Sequence, residues 1–270
     1  MFWKGSLNKE FRQEDKKKSI IAVTAILIVL VGLSFFSVKY FDYISKVGEY
    51  NGTVSDYNVL AEGYISLIQT TSVDNIDGMP TELHYKKELH KDIFSFFHMM
   101  FSTLGGGIGK LKNDTDNEIA ELATEYRIAE QITNPSAEWV AECLKNNEMV
   151  TGTQQVTEDN DPNGYLGVDG GYTGCVYFAL SNIDFDSIEG KDIISKGVDA
   201  GGAVEIYKNV EDAMVRCEYL AQFDNTLLYS GSYALVGTMI IRTSYKLSNE
   251  DQIKLTKAIT ESLVILSQYN

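Results

Sequence analysis

SIIAVTAILIVLVGLSFFSV, residues Ser19 to Val38, contains no charged side chain and follows directly on Lys16-Lys17-Lys18. As a helix these residues would be about 30 Å long, the thickness of a bilayer's hydrocarbon core. The run is apolar all round and has no polar face to turn to water, which separates it from a helix lying on a soluble core. A cleaved signal peptide is a poorer reading. Its apolar core would be shorter, and the residues that follow here, Phe35-Phe36-Ser37-Val38-Lys39-Tyr40-Phe41, offer no small-x-small cleavage pattern. No cysteine lies near the end of the run, so a lipid-modified N-terminus is not expected either. Tyr40, Phe41 and Tyr43 form an aromatic cluster at one edge, as interfacial anchors do. The expectation is an uncleaved signal-anchor helix, with Ser19–Phe41 in contact with the membrane.

Charge sets the expected orientation. Residues 1–18 carry six basic side chains against three acidic ones, a net +3, so the positive-inside bias places this tail in the cytoplasm. The whole chain carries a formal −15, which leaves −18 for the region beyond the apolar run. So acidic a surface argues against nucleic acid and against lying flat on anionic lipid. About 230 residues lie beyond the run, enough for one large or two small domains, and 44% hydrophobic content allows them a core. Cys143, Cys175 and Cys217 are too few for a disulfide framework and are expected to be structural.

Two patterns follow the anchor. Residues 42–149 read as a membrane-proximal helical module: one helix over Val54–Ile68, a second over Glu82–Leu104, and a third over Asp116–Leu144, interrupted at Asn134-Pro135. Polar links at Thr70–Pro80 and Gly105–Asp114 suit a small bundle. Ile93–Gly109 is rich in Phe and Met and could be a second membrane segment or an interfacial helix, but only about a dozen residues are strongly apolar, so a buried core helix is expected. Residues 150–270 read as a distal α+β domain, with a cut site between Asn147 and Gln155 and a fragment able to fold alone. Strands are expected at Cys175–Leu180, Ala203–Tyr207 and Ala234–Thr243, and capped helices after Asn209 and Ser248. The resulting order is β-β-α-β-α, with both helices packed on one face of a small sheet.

The distal region also carries a series of separated motifs. They are Thr157-Glu-Asp-Asn-Asp-Pro-Asn-Gly164, Gly170-Gly-Tyr-Thr173, Asp199-Ala-Gly-Gly202 with Glu205 and Tyr207, Arg216 with Tyr219-Leu220, Gly231-Ser232, Val236-Gly-Thr238 and Ile241-Arg-Thr-Ser244. In this order, over about 156–266, they resemble an uncharacterised module at the C-terminal end of lipoproteins and membrane-anchored surface proteins of Gram-positive bacteria. The resemblance implies surface exposure and carries no activity with it.

Candidate chemistry is sparse. Asp159, Asp161 and Asn163 stand at alternate positions ahead of Gly164, with Asp169 further on, a partial match to a calcium loop. An Asp-Pro-Asn-Gly turn that needs no ion explains the same residues. His84 lies one helical turn before Glu88 but lacks the H-E-x-x-H order of a zinc site. Glu205, Arg216 and Arg242 could line a ligand pocket, though such charges more often pair at a surface. The leading expectation is a binding or envelope-assembly role with a protein partner. The alternative is an extracytoplasmic cation-dependent enzyme using the loop around Asp159–Asp161 and the Asp199-Ala-Gly-Gly turn.

Overall fold

A computed structural model of the chain describes residues 4–101, 107–227 and 229–266. The uncharged run lies inside helix α1, Lys4–Ile68, and is long and apolar enough to cross a membrane. Among the described residues it is covered only near its end, at Phe36; Ile28 and Val31 are 68% and 67% exposed. The chain divides into two compact units, Met1–Tyr57 with Lys86–Asn117, and Asn58–Tyr85 with Glu118–Asn270. This division differs from a single cut at Val150, because residues from the helical half belong to the same unit as the strands.

In the first unit, one face of α1 packs Tyr43, Val47, Tyr50 and Val54 against Phe96 and Ile108. The expected helix over Glu82–Leu104 is corrected to a shorter one, α2, Ile93–Phe101, preceded by chain outside any helix or strand. Side chains of α1 supply the partners that helical hydrogen bonds would have given. Asn51 donates to Leu89 O and accepts from Leu89 N, both at 2.9 Å, and the Tyr43 hydroxyl donates to His90 O at 2.7 Å. Asp92 then caps α2, its Oδ1 accepting from Phe94 N and Ser95 N at 2.9 Å. Leu104, Gly105 and Gly106 lie outside the described residues. The expected link at Gly105–Asp114 is helical from its first described residue, because α3 spans Gly107–Gln131.

The second unit is built on a five-stranded antiparallel sheet. Its strands are β1 (Val150–Gln155), β2 (Gly174–Leu180), β3 (Gly201–Ile206), β4 (Tyr233–Val236) and β5 (Met239–Thr243), in spatial order β1-β2-β3-β5-β4. β2 and β3 are buried along their whole length, which explains their apolar sequence, broken only by Glu205 of β3. The single strand expected at Ala234–Thr243 is two strands folded about Gly237, whose φ of 62° suits glycine. A side chain there would also meet Ile132 O at 2.2 Å. Helix α4 (Ala137–Lys145) restarts after Pro135 with Ser136 as its cap, accepting from Trp139 N at 3.2 Å. A short helix α5 (Ile193–Lys196) precedes β3. The capped helices expected after Asn209 and Ser248 are α6 (Val210–Ala221) and α7 (Asn249–Val264).

The helices do not share one face of the sheet. Ala137 of α4 meets Gly174, the cross-strand partner of Ile206, on one face, and α4 packs in turn on α7. Ala213, Cys217 and Leu220 of α6 pack on the other, against Cys175, Tyr177, Ala203 and Ile240. The stripes of α6 and α7 are each one-sided, so each needs a sheet face, but the periodicity of a helix does not say which one.

Candidate functional site

Antiparallel register places Cys175, Glu205 and Ile240 in one row across the sheet and Tyr177, Ala203 and Arg242 in the next, on the same face. Arg216 descends on this face from α6. Glu205 is fully buried there, and both its oxygens are taken. Oε2 accepts from Arg216 Nε at 2.9 Å and from the Tyr207 hydroxyl at 2.9 Å. Oε1 accepts from Arg216 Nη2 at 3.0 Å and from Arg242 Nη1 at 2.8 Å. Arg242 Nη2 reaches the Ser230 hydroxyl at 3.0 Å. Expecting these charges to pair at a surface is therefore wrong for Glu205: the acid is in the core, held by a two-pronged guanidinium fork and a second arginine.

The electrostatics follow from that geometry. Burial pulls the Glu205 pKa up, but the two guanidiniums overcome it and hold the carboxyl below its ordinary range. Burial opposes the charge on Arg216 as well, and Glu205 more than restores it, leaving the pKa raised. The Tyr207 phenol is raised by burial and then by the adjacent carboxylate, so it stays a donor. One carboxylate faces two guanidiniums, a net positive centre in an acidic protein.

Arg216 is also a wall of a cavity of about 220 Å³, shared with Tyr165, Asp169, Tyr207, Val215 and Tyr219. Its guanidinium lies over the Tyr219 ring at 5.2 Å and the Tyr165 ring at 5.9 Å. The loop that closes the cavity is tight. A side chain at Gly171 would meet Tyr165 O at 2.1 Å, and Gly170 has a φ of 71°.

The residues of the acidic loop have separate duties. Asp161 accepts from Asn163 N at 3.0 Å, from Leu166 N at 2.8 Å and from the Tyr172 hydroxyl. The bond from Asn163 closes an Asx turn. Burial pushes the Asp161 pKa up, but its bonds from Tyr172, Leu166, Asn163 and Gly164 outweigh that and keep it low. Asp159 is exposed, Asn163 donates to the Tyr177 hydroxyl at 3.5 Å, and Asp169 lines the cavity. Among the described residues, no three acidic, histidine or cysteine side chains converge as metal ligands would. His84 and Glu88 lie outside any helix, so their four-residue spacing is not that of one helical turn. The three thiols are free, and burial pushes Cys143 and Cys217 up to about 11 and Cys175 well above its usual value.

Reasoning from sequence noted Glu205, Arg216 and Arg242 as possible pocket residues and quoted Tyr219 only within a motif, and it did not single out Tyr165. The usable signal was a glutamate inside a strand buried on both faces, where an unpaired charge cannot stay. The site is thus a buried carboxylate–diguanidinium cluster beneath a tyrosine-lined cavity, on an antiparallel sheet layered by helices on both faces. No protein-family model matches the chain, and neither the curated proteins nor the solved structures contain a match to it.

Proposed function

We propose that this chain is a single-pass, membrane-anchored protein of the cell envelope, with residues 1–18 in the cytoplasm and the bulk outside, and that it binds rather than catalyses. The exposed uncharged run behind a lysine triplet carries the location. The role rests on Arg216. Its fork to Glu205 uses Nε and Nη2, which leaves Nη1 for a ligand in the cavity that this side chain walls. A small anionic group there would balance the net positive cluster, with the tyrosine rings taking a flat apolar body beside it. Three thiols held protonated by burial are poor nucleophiles, which favours a binding role.

The test uses the purified full chain in detergent, melted with benzoate, acetate or inorganic phosphate. A ligand that binds only the folded state at a hundredfold excess over its dissociation constant stabilises by about 2.7 kcal/mol. At least one of these anions is expected to raise the melting temperature, benzoate most. Val215→Glu, which puts a negative charge at the exposed mouth, and Tyr219→Ala, which removes a stacking ring, are each expected to abolish the rise. No response to any of the three in wild type would remove the anion-binding role.

A further inference from the structure

Helix α2 carries two apolar stripes. Phe96 and Met99 face α1, with Phe96 buried at 5% exposure. Ile93, Phe94, Phe97 and Met100 form the other stripe and are all exposed, Phe94 at 81%. Four large apolar side chains on one face of a nine-residue helix are a poor solution in water. Ring contacts fix the height of this helix on α1. Phe96 and Phe97 both lie 5.5 Å from the Phe36 ring, and Phe96 lies 5.4 Å from Tyr40 and from Tyr43. Phe36 is in the last turn of the uncharged run, about 3 Å inside its end at a rise of about 1.5 Å per residue. Tyr40 and Tyr43 are the aromatic residues just beyond it. The hydroxyls of Tyr43 and Tyr40 also hold the chain leading into α2, through His90 O at 2.7 Å and Lys91 O at 3.3 Å.

We infer that α2 is an interfacial helix whose Ile93, Phe94, Phe97 and Met100 lie in the outer boundary between lipid headgroups and acyl chains. The occupant of the exposed stripe is the lipid of the membrane that α1 crosses, so the inference rests on the anchor reading above. Helices of this kind sink their apolar face about 5–10 Å into that boundary, and the turn of α1 at Phe36–Tyr40 lies there when 19–38 fill the hydrocarbon core. The expectation of a core helix at Ile93–Gly109 is met by only one of the two stripes. Among the described residues α2 is nine residues long, about 14 Å, which is short of a span.

Depth-dependent quenching tests this. The full chain, with Trp3→Phe and Trp139→Phe as background, is reconstituted in vesicles of phosphatidylcholine and phosphatidylglycerol. Single reporters are Val29→Trp, Phe94→Trp, Met100→Trp and Ser55→Trp. Bromine placed just below the headgroups is expected to quench Phe94→Trp and Met100→Trp strongly, and bromine near the chain ends only weakly. Val29→Trp should show the reverse order, and Ser55→Trp should respond to iodide in the water alone. If Val29→Trp keeps its deep quenching while Phe94→Trp and Met100→Trp follow Ser55→Trp, the interfacial helix is wrong and the anchor stands. If they are protected from both iodide and bromine, a protein surface covers the stripe and the inference is again overturned. Loss of deep quenching at Val29→Trp sinks the anchor and the interfacial helix together.

Discussion

Glu205 and its two arginines illustrate how a single buried charge is tolerated. The acid has no exposure, and the two guanidiniums are only 11% and 12% exposed, so each depends on the others. Replacing Glu205 with Gln leaves two cations without a counter-charge, and a loss of about 3–5 kcal/mol is expected in denaturant melts. Replacing the cluster together (Glu205→Leu, Arg216→Met, Arg242→Met) should be far milder, because no charge is left stranded. Acid acts on the same group. Glu205 binds its proton more weakly folded than unfolded, so its contribution is complete above its ordinary value of 4.5 and is lost as pH falls through the lower folded-state value. Melts of wild type from about pH 6 down to about pH 3 should therefore lose stability that Glu205→Gln has already given up. At Asp161 the expected outcome is a loss of about 1–3 kcal/mol on substitution by Asn, since the side chain then offers one acceptor oxygen where it had two. The loss should be the same in calcium and in chelator. A calcium-dependent rise seen in wild type and absent from Asp161→Asn would instead restore Asp159, Asp161, Asn163 and Asp169 as ligands.

At the scale of elements, what was legible in the sequence depended on how local the cause is. The caps at Asn209 and Ser248, and the stripes of α6 and α7, are set within a few residues of chain and were read correctly. β2 and β3 were legible because burial on both faces makes a strand almost wholly apolar, Glu205 being the exception. β1 was not expected, because Val-Thr-Gly-Thr-Gln-Gln is a polar edge strand and its pairing with β2 is decided by tertiary structure. The same cause hid the non-helical course of Glu82–Lys91, whose partners lie on α1, and the convergence on Glu205 of Tyr207, Arg216 from α6 and Arg242 from β5. Two predictions follow from these elements. Gly237→Ala should cost more than about 1 kcal/mol, because it needs a left-handed backbone and its side chain would collide with Ile132 O. A fragment starting at Val150 lacks α4, whose Val140, Ala141 and Leu144 are buried, so it should give a broad, non-cooperative melt. A sharp transition from that fragment would show that the sheet and its remaining helices suffice.

For the whole molecule, orientation is the property to check first. Protease added to intact protoplasts is expected to digest everything beyond the anchor and to spare a tag at the N-terminus. Full protection of the C-terminus would reverse the proposed topology. The sheet also bears on behaviour at high local density. Its β4 edge is occupied: Ser72 N donates to Gly237 O at 3.1 Å, Gly237 N to Ser72 O at 2.7 Å, and Asn75 Nδ2 to Leu235 O at 2.7 Å. At the opposite edge, among the described residues, no strand pairs with the outer side of β1. Exposed strand edges are the templates on which chains add to one another. With the β4 end partly blocked in this way, the outer side of β1 is the better template for a second chain.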